Sequence, residues 1–252
     1  MTPEISIITT VYNRVRFLEA AVRSVRTQTL PDFEHILYDD GSTDGSLELA
    51  RTLARDDPRV RVVAATHRGV VPALKEAHAH ARGRFIGWLD SDDLLVETAL
   101  QETREVLVAS PNAGLVFTDH VLIDEHSRIV PERPRPPRAF TPDRLLTEFV
   151  TFHFRLFRRE VFDACGGIDE TFTAAPDYDF CLRASEVAAF LHLPIPLYCY
   201  RTHPSSISSS RRGEQIENSR RAVERAMARR GLEQRFSLEV DERGGFSLIT
   251  RG

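Results

Sequence analysis

Gly83-Arg84-Phe85-Ile86-Gly87-Trp88-Leu89-Asp90-Ser91-Asp92-Asp93 is the stretch on which the reading of this chain turns. An apolar run ends there in three carboxylates within four residues. Like charges this close resist full ionisation unless something positive sits among them. A divalent cation that prefers oxygen ligands is the usual remedy, and such ions commonly bridge protein to substrate phosphates. At a strand's period of two, Asp90 and Asp92 share a face. Asp93 is either a further ligand or the N-cap of the next helix. A solvated acidic turn is the plain alternative, opposed by Trp88 and Leu89 directly upstream.

Working outward, the same arrangement recurs earlier, where His35-Ile36-Leu37-Tyr38 closes in Asp39-Asp40. Short apolar runs alternate with helical patterns through residues 1–123. Strands are expected over Ile5–Thr10, Phe33–Tyr38, Val60–Ala65, Phe85–Leu89 and Gly114–Ile123. Helices are expected over Arg14–Thr27, Asp44–Arg55, Val70–Ala81 and Val96–Val108, with Ser42-Thr43 as N-cap hydroxyls for the second. Such alternation predicts a Rossmann-like α/β fold, its sheet mostly parallel and flanked by helices on both faces. Ligands of open α/β sheets bind beyond the carboxyl ends of the strands, where both acidic clusters fall.

After Ile123 the pattern breaks. Pro131-Glu132-Arg133-Pro134-Arg135-Pro136-Pro137 reads as an extended surface loop. Phe152–Phe157 reads as a strand, Arg159–Ala164 and Tyr178–Ala189 as helices, and Leu193–Tyr200 as an extended segment. A basic helix over Gly213–Arg230 precedes a hairpin of Phe236–Val240 and Phe246–Ile249. The chain thus divides into an α/β half (1–123), a variable half of the same domain (124–212) and a basic helix with its hairpin (213–252).

Bulk composition narrows the classes. With 33 basic and 37 acidic residues the net charge is −4, so no basic field points to nucleic acid. No stretch approaches the roughly 18 apolar residues of a membrane span. Met1-Thr2-Pro3-Glu4 lacks the layout of a signal peptide. Cys165, Cys181 and Cys199 form no metal-type pair, and a reduced, cytoplasmic location is the expectation.

Asp39-Asp40-Gly41-Ser42-Thr43-Asp44 reads either as turn punctuation or as a nucleotide site. Turn chemistry explains Gly41, Ser42 and Thr43, but not a doubled acid at a buried strand end, where charge is costly. A carboxylate there suits the N–H donor of a pyrimidine such as uracil. Asp177 opens a helix, so it is either an ordinary cap or an ionised base. Asp179, four residues before Arg183, is accounted for by a helix-surface ion pair. Arg211, Arg212, Arg220, Arg221, Arg225, Arg229 and Arg230 make the last helix basic. That face is either solvated or in peripheral contact with anionic lipid or a phosphate-bearing acceptor.

Three blocks, Ser6-Ile7-Ile8-Thr9-Thr10-Val11-Tyr12-Asn13-Arg14, Asp39-Asp40-Gly41-Ser42-Thr43-Asp44 and Gly83 through Asp93, resemble in content, order and spacing the family 2 glycosyltransferases. The likeness runs over about residues 4–204. It implies the GT-A fold, a nucleotide-sugar donor such as a UDP-sugar, Mg²⁺ or Mn²⁺, and sugar transfer with inversion. It further implies that Thr10 and Tyr12 line the nucleotide pocket and that Asp40, beside Asp39, accepts the uracil N–H. Asp92 would meet ribose or metal, with Asp90 and Asp93 completing the metal side. Phe157-Arg158-Arg159 and Gly166-Gly167-Ile168-Asp169-Glu170 resemble the segment before the catalytic base, and Asp177 matches the base itself. Arg201-Thr202-His203 resembles the basic pair near the diphosphate, with His203 a further metal donor. The acceptor would be a saccharide, lipid-linked or other hydroxyl compound. Two departures stand out: Pro176 replaces the family's usual Glu before the base, and Glu76 follows Lys75 where Asn is more usual.

Rival classes fit less well. A nucleotidyltransferase would carry a glycine-rich phosphate cradle after the first strand, where Val11-Tyr12-Asn13-Arg14 stands. A receiver module would carry an acid after the third strand, where Ala64-Ala65-Thr66 stands. A nucleotide-sugar-binding protein without turnover stays open.

Overall fold

The computed structural model describes residues 2–131, 139–204 and 211–251. In chain order the elements of the first half are β1 (Ile5–Val11), α1 (Val15–Arg26), β2 (Phe33–Asp39), α2 (Ser46–Arg55), β3 (Val60–Ala64), α3 (Val70–His78), β4 (Phe85–Trp88), β5 (Leu94–Leu95), α4 (Ala99–Ala109) and β6 (Ala113–Ile123). Then come β7 (Ile129–Val130), a 3₁₀ turn (Arg144–Leu146), β8 (Arg155–Arg158), α5 (Arg159–Ala164), α6 (Pro176–Val187), β9 (Ala189–Arg201), α7 (Arg212–Arg229), β10 (Phe236–Val240) and β11 (Phe246–Thr250). Apart from Pro131, the expected proline-rich loop lies outside the described residues.

One sheet runs in the order β3-β2-β1-β4-β8-β6-β9-β5, with β7 on β6. The first four strands are mutually parallel, as the alternation of strands and helices dictates. β1 sits among them and is buried on both faces, so its sequence is a nearly continuous apolar run. Ile5 and Ile7 face Ala21 and Val25 of α1 and Leu100 of α4. Ile8 faces the opposite layer, where α3, α5, α6 and α7 pack. The sheet with helices on both faces is therefore present.

The second half departs from simple winding. β8 is antiparallel to both β4 and β6. β6 and β9 then pair in parallel, with register shifts where Pro194 and Pro196 interrupt β9. Proline cannot donate to a ladder, so the strand bulges there. Beyond the bulge, Tyr198, Tyr200 and Arg201 reach the carboxyl end of the parallel half.

Several local expectations are corrected. α2 does not start on Ser42 or Thr43 hydroxyls; its first amide, Ser46 N, donates to Asp44 Oδ1 at 3.0 Å. Asp93 caps no helix, because α4 begins only at Ala99 after the short strand β5. Asp90 and Asp92 do not share a strand face: β4 ends at Trp88, and Asp93 N donates to Asp90 O at 3.1 Å, closing a turn. The strand expected from Phe152 starts at Arg155. The terminal helix forms as expected and buries Ala222, Val223, Ala226 and Met227 in the core layer that holds α6.

Candidate active site

The carboxyl ends of β1, β2 and β4 meet at one edge, and the loops there hold each other in place. Ser42 Oγ accepts from Asn13 N at 3.0 Å, Ser46 Oγ from Arg14 N at 2.8 Å and Asp44 Oδ2 from Val15 N at 3.0 Å. Asn13 Oδ1 accepts from Thr43 N at 2.8 Å. The turn reading thus explains Ser42, Thr43 and Asp44, which anchor the start of α1 to the loop after β2.

The doubled acid behaves differently. Asp39 Oδ1 accepts from Ser42 N at 2.9 Å, while its buried Oδ2 has no protein donor. Asp40 accepts from Arg68 N and Gly69 N, both at 2.8 Å, with His67 Nδ1 also 2.8 Å away. Gly69 has φ +98°, a conformation side chains resist. Asp40 therefore ties the loop before α3 to the end of β2. That loop carries His67, whose ring stacks on Tyr12 with centroids 3.9 Å apart. A cavity of about 350 Å³ opens beside them, lined by Thr10, Tyr12, Asp40, Asp90, Asp92 and Arg201 among others.

The turn after β4 divides its acids by task. Asp93 is buried, and its two oxygens accept from Tyr198 OH and Arg201 N, each at 2.7 Å. Burial, then Asp90 and Asp92, push its carboxyl well above the usual range. Asp92 Oδ2 lies 3.0 Å from His203 Nε2 and accepts from Arg14 Nε at 3.3 Å. Asp90 is pushed up to about 7, by its protein surroundings first and then by Asp92 and Asp177. Solvent still reaches 54 % of that side chain, so it is an acid open to the cleft rather than a sealed one.

Arg201 spends its guanidinium on structure. Its Nε donates to Asp92 O at 2.6 Å, and its Nη1 to Asp124 O at 2.8 Å and Ser127 Oγ at 3.1 Å. It fixes the backbone that presents Asp92. His203 is equally buried, packed on Phe17 with centroids 4.7 Å apart.

Asp177 lies across the cleft, the second residue of α6. Pro176 takes the first helical position, where its missing N–H costs nothing. The departure from the family's Glu thus leaves the helix start intact. Asp177 is not a cap: its Oδ2 accepts from Arg155 Nη2 at 2.8 Å. Arg155 is 1 % exposed and also meets His153 Nδ1 at 3.0 Å and Thr151 O at 3.2 Å. Burial and Arg155 hold His153 well below the ordinary histidine range, so it stays neutral. Asp179 pairs with Arg183 as expected (Nε to Oδ2, 2.9 Å), but in the interior rather than on the surface. Glu76 is tied to Tyr38 OH and Arg68.

Asp177 borders a larger cavity of about 600 Å³, with Trp88, Asp90, Phe149, Phe152 and Tyr200 on its walls. The two cavities share Thr10, Val70, Asp90, Tyr200 and Arg211. Thr10, Tyr12, Asp40, Asp90, Asp92, Asp93 and Arg201 are thus brought to one chamber and Asp177 to the next. Asp39 and His203 stand behind these walls. Not anticipated were Arg14, His67, Arg155 and Tyr198. A signal existed for Arg155, a lone charge inside the apolar run Phe152–Phe157.

Among the described residues no three His, Cys, Asp or Glu side chains are gathered as a metal cage. The pair Asp92 Oδ2 and His203 Nε2 nevertheless has the 3.0 Å spacing of neighbouring donors around an octahedral cation, about 3 Å for bonds of about 2.1 Å. Mg²⁺ ordinarily takes one or two protein carboxylates and completes its shell with water and phosphate. The residues present fit a cation that arrives with a diphosphate.

Fold and site together define a class, a nucleotide-dependent transferase architecture of the GT-A type. The glycosyl transferase family 2 model matches residues 6–166, and the chain belongs to that family. It is 30% identical over 230 residues to a hyaluronan synthase of Pasteurella multocida, covering 91% of this chain. The chain spans 24% of that relative's length. Its fold is similar to that of S. aureus TarS in complex with UDP-GlcNAc, with a TM-score of 0.73 at 19% identity over 89% of this chain and 66% of that one. It is also similar to the mannosyltransferase PcManGT of Pyrobaculum calidifontis in complex with GDP-Man and Mn²⁺, with a TM-score of 0.67 at 18% identity over 92% of this chain and 76% of that one. Among the described residues no helix is long and apolar enough to cross a membrane.

Proposed function

We propose that this chain is an inverting glycosyltransferase of glycan or polysaccharide synthesis, moving a sugar from a nucleoside diphosphate, favoured as UDP, to an acceptor hydroxyl. One observation carries the reading: two chambers meet at Asp90, with the Asp40–Asp92 wall on one side and Asp177 on the other. The smaller chamber takes the nucleotide, with Tyr12 and His67 beside the base and Asp39–Asp40 at its far end. The larger takes the acceptor. The donor sugar then sits at the junction, its anomeric carbon between the leaving diphosphate and the attacking hydroxyl.

Asp177 removes the proton of that hydroxyl as it attacks. A positioned carboxylate contributes about 10²–10⁴-fold to such a step. Arg155 fixes the side chain's direction through Oδ2, leaving Oδ1 for the acceptor. Asp92 and His203 are the residues that would hold Mg²⁺ or Mn²⁺. When bound, the cation offsets charge building on the diphosphate. Asp93 serves this wall indirectly, through Tyr198 and the Arg201 amide. Attack and departure on opposite faces invert the anomeric centre.

Lipid contact is not part of this reading. Arg220, Arg225, Arg229 and Arg230 are paired with Glu217 and Glu224, Asp169, and Glu186.

Asp177→Asn tests the proposal. Transfer from a UDP-sugar should fall by at least about 10²-fold, while calorimetry finds UDP affinity with Mn²⁺ preserved. Near-normal turnover would remove Asp177 as base. Wild-type protein that binds a nucleotide sugar but neither transfers nor hydrolyses it, over a donor and acceptor panel, would favour binding without turnover.

A further inference from the structure

Positive charge on the C-terminal segment is spent unevenly, and part of what is unspent faces the larger cavity. Arg220, Arg225, Arg229 and Arg230 pair with carboxylates, whereas Arg221 donates to Thr171 O and lies over the Phe172 ring. Arg211, at the edge of both chambers, is paired with Glu214 through Nε at 2.7 Å. Arg212 and Arg243 differ. Both line the larger cavity, and among the described residues neither guanidinium has a carboxylate within ion-pair distance. Arg212 donates only to a neutral acceptor, Arg243 O, at 2.8 Å. Asp241, close in sequence to Arg243, has its Oδ1 taken by the amides of Arg243 and Gly245 at 2.8 Å each; those amides first, and then the Arg243 charge from beyond ion-pair distance, hold its carboxyl below the usual range.

This placement is built rather than incidental. Arg243 is carried by the β10–β11 turn, more than two dozen residues from the start of α7 in sequence. A Cβ on Gly244 would lie 2.5 Å from Ile216 Cδ1, so only glycine lets the turn sit this close to the helix. The bond from Arg212 to Arg243 O closes the same contact. Two cations from distant segments thus line the same cavity, together with Gln215.

We infer that the acceptor carries an anionic group, a sugar carboxylate or a phosphate, held by Arg212 and Arg243 in the cavity that Asp177 borders. Arginine's fork suits either oxyanion in two-point contact. The inference rests on assigning the larger cavity to the acceptor.

The test pairs charged and neutral probes on the intact chain with UDP and Mn²⁺ present. Binding of p-nitrophenyl β-glucuronide, p-nitrophenyl β-glucoside and glucose 6-phosphate is measured by calorimetry. At least one anionic probe should bind about tenfold more tightly than the glucoside, the worth of one charge-assisted bond. Preference for the glucuronide identifies a carboxylate, and preference for glucose 6-phosphate a phosphate. The advantage should vanish in Arg212→Gln/Arg243→Gln and persist in Arg220→Gln, whose charge is paired on the outer face. Equal affinity for charged and neutral probes in the wild type, or an advantage that survives the double change, overturns the inference. The transferase reading is judged separately, by nucleotide-sugar turnover in the wild type: its failure with the anion preference intact would leave an anion-binding chamber without the proposed reaction.

Discussion

The two chambers are walled in different ways. Around the smaller chamber three acids take backbone donors, Asp40 the amides of Arg68 and Gly69, Asp39 that of Ser42 and Asp93 that of Arg201 beside the Tyr198 hydroxyl, while Asp92 answers to the side chains of Arg14 and His203. Around the larger chamber, Asp177 answers to a side chain, the buried guanidinium of Arg155, and α7 and the terminal turn supply further wall. Backbone amides cannot be mutated away and tolerate sequence change around them. Side-chain partners can be exchanged, so the larger chamber is the more open to change by substitution.

The sharpest way to break this contrast is Arg155→Met. Methionine fills similar space without the charge; breaking a buried pair ordinarily costs about 3–5 kcal/mol, a loss eased here because Asp177 is 22 % exposed and keeps water on its cleft side. If Arg155 aims the base, kcat should fall by about 100-fold, the cost of a misplaced reacting group, with KM for the nucleotide sugar nearly unchanged. Arg155→Lys should restore part of the rate. Equal losses in both variants, matched by lower melting temperatures, would make Arg155 merely structural. On the opposite wall, Asp92→Ala should weaken UDP binding in Mn²⁺ by about tenfold, at the lower end of what a disturbed metal shell costs. It should leave metal-free binding alone. Calorimetry that finds no Mn²⁺-dependent loss would detach Asp92 from the cation.

A smaller effect tests whether both sides rest on equally dry layers. His35 lies beneath the nucleotide side, 2.9 Å from Thr9 Oγ1, and His78 beneath the other, accepting from Trp88 Nε1 at 2.8 Å. Burial pushes both from an ordinary 6.5 down to about 3. Below pH 6.5 the unfolded chain takes up protons that the folded chain refuses, so stability present above that pH is lost as pH falls toward 3. Each histidine should contribute about 1.4 kcal/mol per pH unit across that window. Asp90 and Asp93, whose carboxyls stand above the usual range, contribute the opposite slope over this window, so the test is the difference between proteins: from pH 7 to 5 the urea midpoint should fall less, or rise more, in His78→Phe or His35→Phe than in the wild type. An unchanged slope in either would show that the imidazole is solvated.

Sequence reading reached the parallel half because it is local. Ile5–Val11 and Phe33–Asp39 announce buried strands, and Leu89-Asp90 announces charge at the end of one. It misjudged the turn at Asp90–Asp93, since a period of two assumes extended backbone and the Asp93 amide folds back instead. It also could not see that Asp93 is consumed by Tyr198 and Arg201, more than a hundred residues away. The antiparallel insertion of β8 and the approach of Arg243 to α7 are likewise long-range. Neither leaves a periodic trace; each rests on one close fit, Phe154 under Gly87 and Gly244 against Ile216.

Thr10, Asp90 and Tyr200 belong to both chambers at once. A party wall of this kind means that neither lodger arrives in a room unaffected by the other. Whichever substrate enters first sets the shape its partner meets, and double-reciprocal velocity plots should therefore intersect instead of running parallel.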